Sequence, residues 1–120
     1  MENAINWFDI PATNYERAKT FYTTILGKAL VPMEGMPNYV MFPSDRDGVG
    51  GGLSIEDGLK PGATGTLIYL NGGEDLSLIL DRVEDAGGEV VMPKTGIGSN
   101  GFVARFKDTE GNLIGLHSMK

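Results

Sequence analysis

The sequence predicts an α+β fold made of two copies of one unit, a strand followed by a helix and three further strands. Three observations carry this expectation. The hydrophobic period switches between strand-like and helix-like in the same order twice, about sixty residues apart. A polar stretch bearing Gly and Pro, "DGLKPGATG" (57–65), separates the two halves. Glycine occurs 18 times, often at the ends of periodic segments, which calls for many tight turns.

The elements follow in order. "AINWFDIP" (4–11) alternates and stops at a proline, so it is expected to be a strand. In "TNYERAKTFYTTILG" (13–27), Tyr15, Ala18, Phe21, Tyr22, Ile25 and Leu26 form one helical stripe. Thr13 and Glu16 have the spacing of a capping box, and Gly27 is the expected stop. Three short strands are expected at 28–33, 38–43 and 48–55. After the linker, "TLIYLN" (66–71) is a strand. "EDLSLILDRVEDAGG" (74–88) is a helix with Leu76, Ile79, Leu80, Val83 and Ala86 on one face and Gly87 as its stop. Strands at 89–94, 101–108 and 112–118 complete the unit, the last two joined by the turn "DTEGN" (108–112). The chain is thus expected to be one domain over 1–120, with module one at 1–57, a linker at 58–65 and module two at 66–120. A helix covers one face of each sheet. The uncovered faces, side by side in one cupped mixed sheet, would form an open cleft suited to a small molecule.

Composition excludes several functions. The absence of cysteine removes disulfides, thiolate metal sites and cysteine nucleophiles. A single histidine, His117, removes any site that needs two imidazoles from one chain. The net charge of −6, with scattered Lys and Arg, argues against nucleic acid or anionic membrane as partners. With neither a signal-peptide pattern nor an apolar run of about 18 residues, a cytoplasmic location is expected. The glycine runs "GVGGG" (48–52) and "TGIGSNG" (95–101) are not followed by a helix, so they lack the geometry of a phosphate loop. The first is expected to be a strand floor that permits close approach, the second a mobile hairpin loop over the cleft. The six methionines show no helical stripe and are expected to fill gaps.

Three segments, "FDIPATNYERAKTFYTTILG", "LDRVEDAGGEVV" and "FKDTEGNLIGL", in this order and spacing, resemble the vicinal-oxygen-chelate superfamily. That superfamily holds glyoxalase I, bleomycin-resistance proteins and extradiol dioxygenases, and the resemblance spans essentially the whole chain. It implies a cleft into which metal-dependent members project His, Gln or Glu from the first and last strand of each module. The matching positions here are Trp7, fourteen residues before Phe21, then Gly52, then Leu67 or Thr66, and Gly115. Tryptophan and glycine offer no metal donor, so no metal and no cofactor are expected.

Parity along the strands selects further candidates. His117 shares a face with Leu113 and Gly115 at one end of the cleft. It is either a ligand-contacting imidazole or general base, or a surface histidine near the C-terminus. Trp7 is a flat apolar platform for a ligand, or a packing residue at a contact between chains or modules. Asp9 lies on the same face as Trp7. An ion pair with Arg105 and an anion-steering role for Arg105 are equally open. Tyr69 and Asn71 would bring a hydroxyl and an amide to the same cleft. The expected ligand-binding set is Trp7, Asp9, Gly52, Tyr69, Asn71, Arg105 and His117, with no catalytic residue assigned. Three functions follow. The chain is a metal-independent protein that binds a small organic molecule, expected as a homodimer both from the resemblance and because the modules leave sheet edges open. Alternatively it is a glyoxalase- or lyase-type enzyme, either with a non-standard metal site or using Asp9, Tyr69 and His117 in acid–base roles. A partner-binding domain with a vestigial cleft is the third.

Overall fold

The computed structural model describes residues 3–120. The elements run β1 (Trp7–Pro11), α1 (Tyr15–Leu26), β2 (Val31–Pro32), β3 (Tyr39–Met41) and β4 (Gly50–Ser54). Then come β5 (Tyr69–Asn71), α2 (Ser77–Val83), β6 (Glu89–Gly96), β7 (Phe102–Lys107) and β8 (Leu113–Ser118). The α+β class with two βαβββ modules therefore holds. Each module forms its own four-stranded sheet, ordered β1-β4-β3-β2 and β5-β8-β7-β6, with the first and last strands paired in parallel and the others antiparallel.

One shared core joins the modules. The inward residues Ile10, Val40 and Leu53 of the first sheet belong to the same buried cluster as Leu70, Ala104, Phe106, Ile114 and Leu116 of the second. A file of rings marks the path between them. Phe42, just after β3, packs edge-on against Tyr22, Tyr22 against Phe21, and Phe21 reaches Phe106 on β7 with centroids 5.9 Å apart. The helices thus lie between the two sheets, and the outer face of each sheet looks away from the common core. This differs from a single cupped sheet with both uncovered faces in one cleft. The apolar stripe on α1 meets both sides, since the buried Tyr22 packs on Phe42 after β3 and the buried Phe21 reaches Phe106 on β7.

Several boundaries shift for local reasons. The N-cap of α1 is Asn14, whose side chain accepts from the Arg17 N–H, and the Thr13–Glu16 capping box does not form. Its place is taken by Glu110 from the β7–β8 turn, which accepts from the backbone N–H of Thr13 and Asn14, from the Thr13 hydroxyl and from Arg17. Gly27 ends α1 as expected, at a left-handed φ of 68° with its N–H on the Thr23 carbonyl. Helix α2 is shorter than its apolar stripe. It begins after Leu76, whose N–H is taken by Ser118 on β8, and gives way to turns that reach Gly87. The loop at 95–101 is partly strand, since β6 continues through Gly96 before a single 3-10 turn over Gly98–Asn100.

A buried polar knot closes the end of the molecule where both modules meet. Asp108 accepts from the Tyr22 hydroxyl at 2.6 Å, from the backbone N–H of Glu110 and Asn112, and from the Asn112 amide. Asn112 also donates to the Pro11 carbonyl and accepts from the Gly62 N–H, so it links β1, the linker and the β7–β8 turn. Burial, assisted by the charge of Asp108, pushes the Tyr22 phenol well above its ordinary pKa. Among the described residues, no helix is long and apolar enough to cross a membrane.

Candidate functional site

The outer face of the first sheet carries a hydrogen-bonded trio. Alternation along β1 turns Phe8 and Ile10 into the core and leaves Trp7 and Asp9 outside. The Trp7 indole N–H donates to the Tyr39 hydroxyl at 2.8 Å, and that hydroxyl donates to Asp9 Oδ1 at 2.6 Å. Burial, and then the bond to the Asp9 carboxylate, raise the Tyr39 phenol pKa, while the Trp7 bond opposes the rise. Trp7 is 44% exposed, so its ring is available to a visitor while its N–H is engaged.

Glycines make this arrangement possible. Gly50 lies opposite Trp7 and Gly52 opposite Asp9 in the parallel β1–β4 pair. A side chain on Gly50 would press on the indole at 3.1 Å, and one on Gly52 would collide with the Tyr39 hydroxyl. The floor expected of this run is therefore real, and its occupants are Trp7 and Tyr39.

The second sheet repeats the device with other partners. Tyr69, Gly115 and Arg105 form one row across β5, β8 and β7. The Tyr69 ring lies across Gly115, where any Cβ would collide with it. Its hydroxyl thereby reaches Arg105, whose Nε and Nη2 donate to it at 3.1 and 2.9 Å. In the next row Asn71, His117 and Val103 align. His117 Nε2 lies 2.7 Å from the Asn100 carbonyl. A carbonyl only accepts, so Nε2 carries the proton and Nδ1 is left for other contacts. Asn71 accepts the Gly73 N–H, closing its own turn.

The seven residues expected at the site thus fall into two groups. Trp7, Asp9 and Gly52 come together on the first sheet, and Tyr69, Arg105 and His117 share the outer face of the second with Asn71. Asp9 and Arg105 do not pair, since each is held by a tyrosine of its own sheet. His117 braces the β6–β7 hairpin instead of standing free. Tyr39 was missed by the sequence reading. The available signal was parity in "NYVMFP", which places Tyr39 opposite in sense to the buried Val40, next to a glycine strand that invites a ring. A groove of about 860 Å³ also runs along the seam between the modules, lined by Ile5, Phe8, Leu26, Phe42, Leu70 and Ile79 among others.

Comparison with known proteins gives these faces a context. A family model described as Glyoxalase/Bleomycin resistance protein/Dioxygenase superfamily matches residues 4–116. The chain belongs to this superfamily. It is 29% identical over 115 residues to "Putative glyoxylase CFP32" of Mycobacterium bovis, covering 92% of this chain and 44% of the relative, so it spans less than half the length of that protein. Among solved structures, a glyoxalase/bleomycin resistance protein from Albidiferax ferrireducens T118 superposes with a TM-score of 0.80 at 14% identity, over 98% of this chain and 100% of the other. TnmS3, an antibiotic binding protein from Streptomyces sp. CB03234, superposes with a TM-score of 0.70 at 23% identity, over 98% and 97% of the two chains.

The positions that the resemblance matched to metal ligands can be compared with these residues. Leu67 sits two residues before Tyr69, as Trp7 sits two before Asp9, and Tyr69 and Asp9 face Gly115 and Gly52 in the two parallel pairs. Leu67 is therefore the fifth-strand counterpart of Trp7. Neither Trp7, Gly52, Leu67 nor Gly115 offers a donor, and the space above both glycines is filled by tyrosine rings. Among the described residues no three His, Cys, Asp or Glu side chains converge. The usual metal does not fit this set of residues.

Proposed function

We propose that the protein binds a small organic molecule without a metal, against the outer sheet faces. The observation that carries this reading is the half-exposed Trp7 ring, fixed by its N–H to Tyr39 and seated over Gly50 at a superfamily ligand position. An indole immobilised in this way is a pre-organised platform, which lowers the entropic cost of stacking a planar group. TnmS3, an antibiotic binding protein of the same fold, is consistent with this reading.

The same reading includes a homodimer. Both outer faces look away from one core, and β1 and β5 are edge strands in their sheets. A cleft walled by both faces therefore needs module one of one copy opposite module two of another. Light scattering at tens of micromolar should report two chains per particle, with about 1,200 Å² or more buried in total. A strictly monomeric particle would remove the dimer from the proposal.

The test of binding is optical. A screen of glutathione adducts, glycopeptide-type drugs and small keto acids should contain compounds that change Trp7 fluorescence and raise the melting temperature. Trp7→Ala should weaken such binding roughly tenfold or more. Chelators should leave both responses unchanged. A set of compounds that raises the melting temperature while Trp7 emission stays constant would place the ligand elsewhere.

A further inference from the structure

We propose that Arg105 and the Tyr69 hydroxyl form a carboxylate-recognition subsite on the outer face of the second sheet. It would take the anionic end of the small molecule, and it rests on the binding reading above. The two modules share a tyrosine laid over a glycine, but the hydroxyls are in opposite situations. The Tyr39 oxygen accepts from Trp7 and gives its proton to Asp9, so both of its capacities are used within the chain. The Tyr69 oxygen accepts twice from Arg105, and its proton has no acceptor among the described residues.

Arg105 is equally open. A guanidinium has five N–H donors, and two point at Tyr69. Among the described residues the ion pairs are Arg17–Glu110 and Lys94–Asp75, and neither involves Arg105. A chain with 16 acidic side chains against 10 basic ones thus leaves this arginine without a carboxylate on an accessible face. Its cross-strand neighbours are Met92 and Gly115, and the next outward residue along β7 is Lys107, itself opposite Glu89. Three N–H groups and one O–H are therefore left without acceptors beside the Tyr69 ring that covers Gly115. A planar fork beside a hydroxyl donor matches the two coplanar oxygens of a carboxylate. Gly115 has a specific part in this. Without it Tyr69 could not lie flat across β8, and its hydroxyl would not reach the fork.

The test is a nitrogen-15 NMR titration with benzoate and with its neutral isostere benzamide. Benzoate should move the Arg105 Nε–H and the Gly115 and Tyr69 amide signals saturably, and benzamide should not. Arg105→Gln should weaken benzoate roughly tenfold. Tyr69→Phe, which keeps the ring over Gly115, should weaken it by a smaller factor. Both side chains are at least partly exposed, and unchanged amide spectra elsewhere will confirm that the variants fold. Equal responses to the two probes, no saturable benzoate response, or unaltered benzoate affinity in Arg105→Gln would overturn the subsite. The broader binding reading has a separate readout. A screened carboxylate that alters Trp7 emission equally in the native protein and in Arg105→Gln leaves that reading intact and removes this one.

Discussion

Replacing Asp108 with alanine is expected to cost about 3–5 kcal/mol of stability, the largest effect of any single side-chain change considered for this protein. The carboxylate is 5% exposed and accepts four hydrogen bonds, from Tyr22, from the backbone of Glu110 and Asn112, and from the Asn112 amide. Removing it strands a phenol that is fully buried and an amide that holds β1 to the β7–β8 turn. Buried donors without partners each cost about 1–3 kcal/mol, so several together can consume much of a typical domain's 5–15 kcal/mol. Urea unfolding followed by far-ultraviolet circular dichroism measures the loss. The companion change Tyr22→Phe removes one donor and leaves the carboxylate with three, so it should cost clearly less, about 1–2 kcal/mol. Equal losses for the two variants, or a loss under about 1 kcal/mol for Asp108→Ala, would show that the knot is not what holds the modules together.

Glu110→Ala is expected to cost about 3 kcal/mol at neutral pH, through the N-terminus of α1 and the charged bond to Arg17. The Glu110 side chain is fully buried while that of Arg17 is half exposed, so the pair is covered from one side. Burial by itself pushes the carboxyl pKa up. The bonds from Arg17, the backbone of Asn14 and Thr13, and the Thr13 hydroxyl outweigh it and hold the group down to about 2, against an ordinary 4.5. The sign follows from linkage. A carboxylate depressed in the folded state stabilises it fully above pH 4.5, and that contribution is lost as pH falls toward 2. The native protein should therefore lose stability across this window. Glu110→Gln, which cannot titrate, should show a shallower slope. Asp75 is also lowered to about 2, first by the Ser77 backbone N–H and then by Lys94, so Asp75→Asn is the control that removes its share of the slope. Parallel slopes for native protein and Glu110→Gln would sink the assignment.

The repeat, the class and most elements were legible because they depend on local period and on turn residues. The inward and outward parities of β1, β5, β7 and β8 were legible for the same reason, since alternation along a strand is decided by neighbours two residues apart. The arrangement of the modules was not. It involves contacts between residues far apart in the chain, such as Phe21 with Phe106, 85 positions further on. The cap of α1 failed for a like reason. Thr13 and Glu16 satisfy a local rule, but a glutamate 97 positions away from Thr13 supplies more bonds at once. At the site, alternation selected Trp7, Asp9, Tyr69 and Arg105. It could not reveal that Trp7 and Asp9 are held by Tyr39 and Arg105 by Tyr69, because those bonds run between strands and alternation reports only on neighbours within one.

The two tyrosine-covered glycines also constrain how this chain can change over generations. A metal-binding side chain introduced at Gly52 would strike Tyr39, and one at Gly115 would strike Tyr69. Either step would first have to evict a ring that is bonded to Asp9 or to Arg105. A larger side chain at Gly52 or at Gly115 would therefore need a second change, at Tyr39 or at Tyr69, before it could be accommodated.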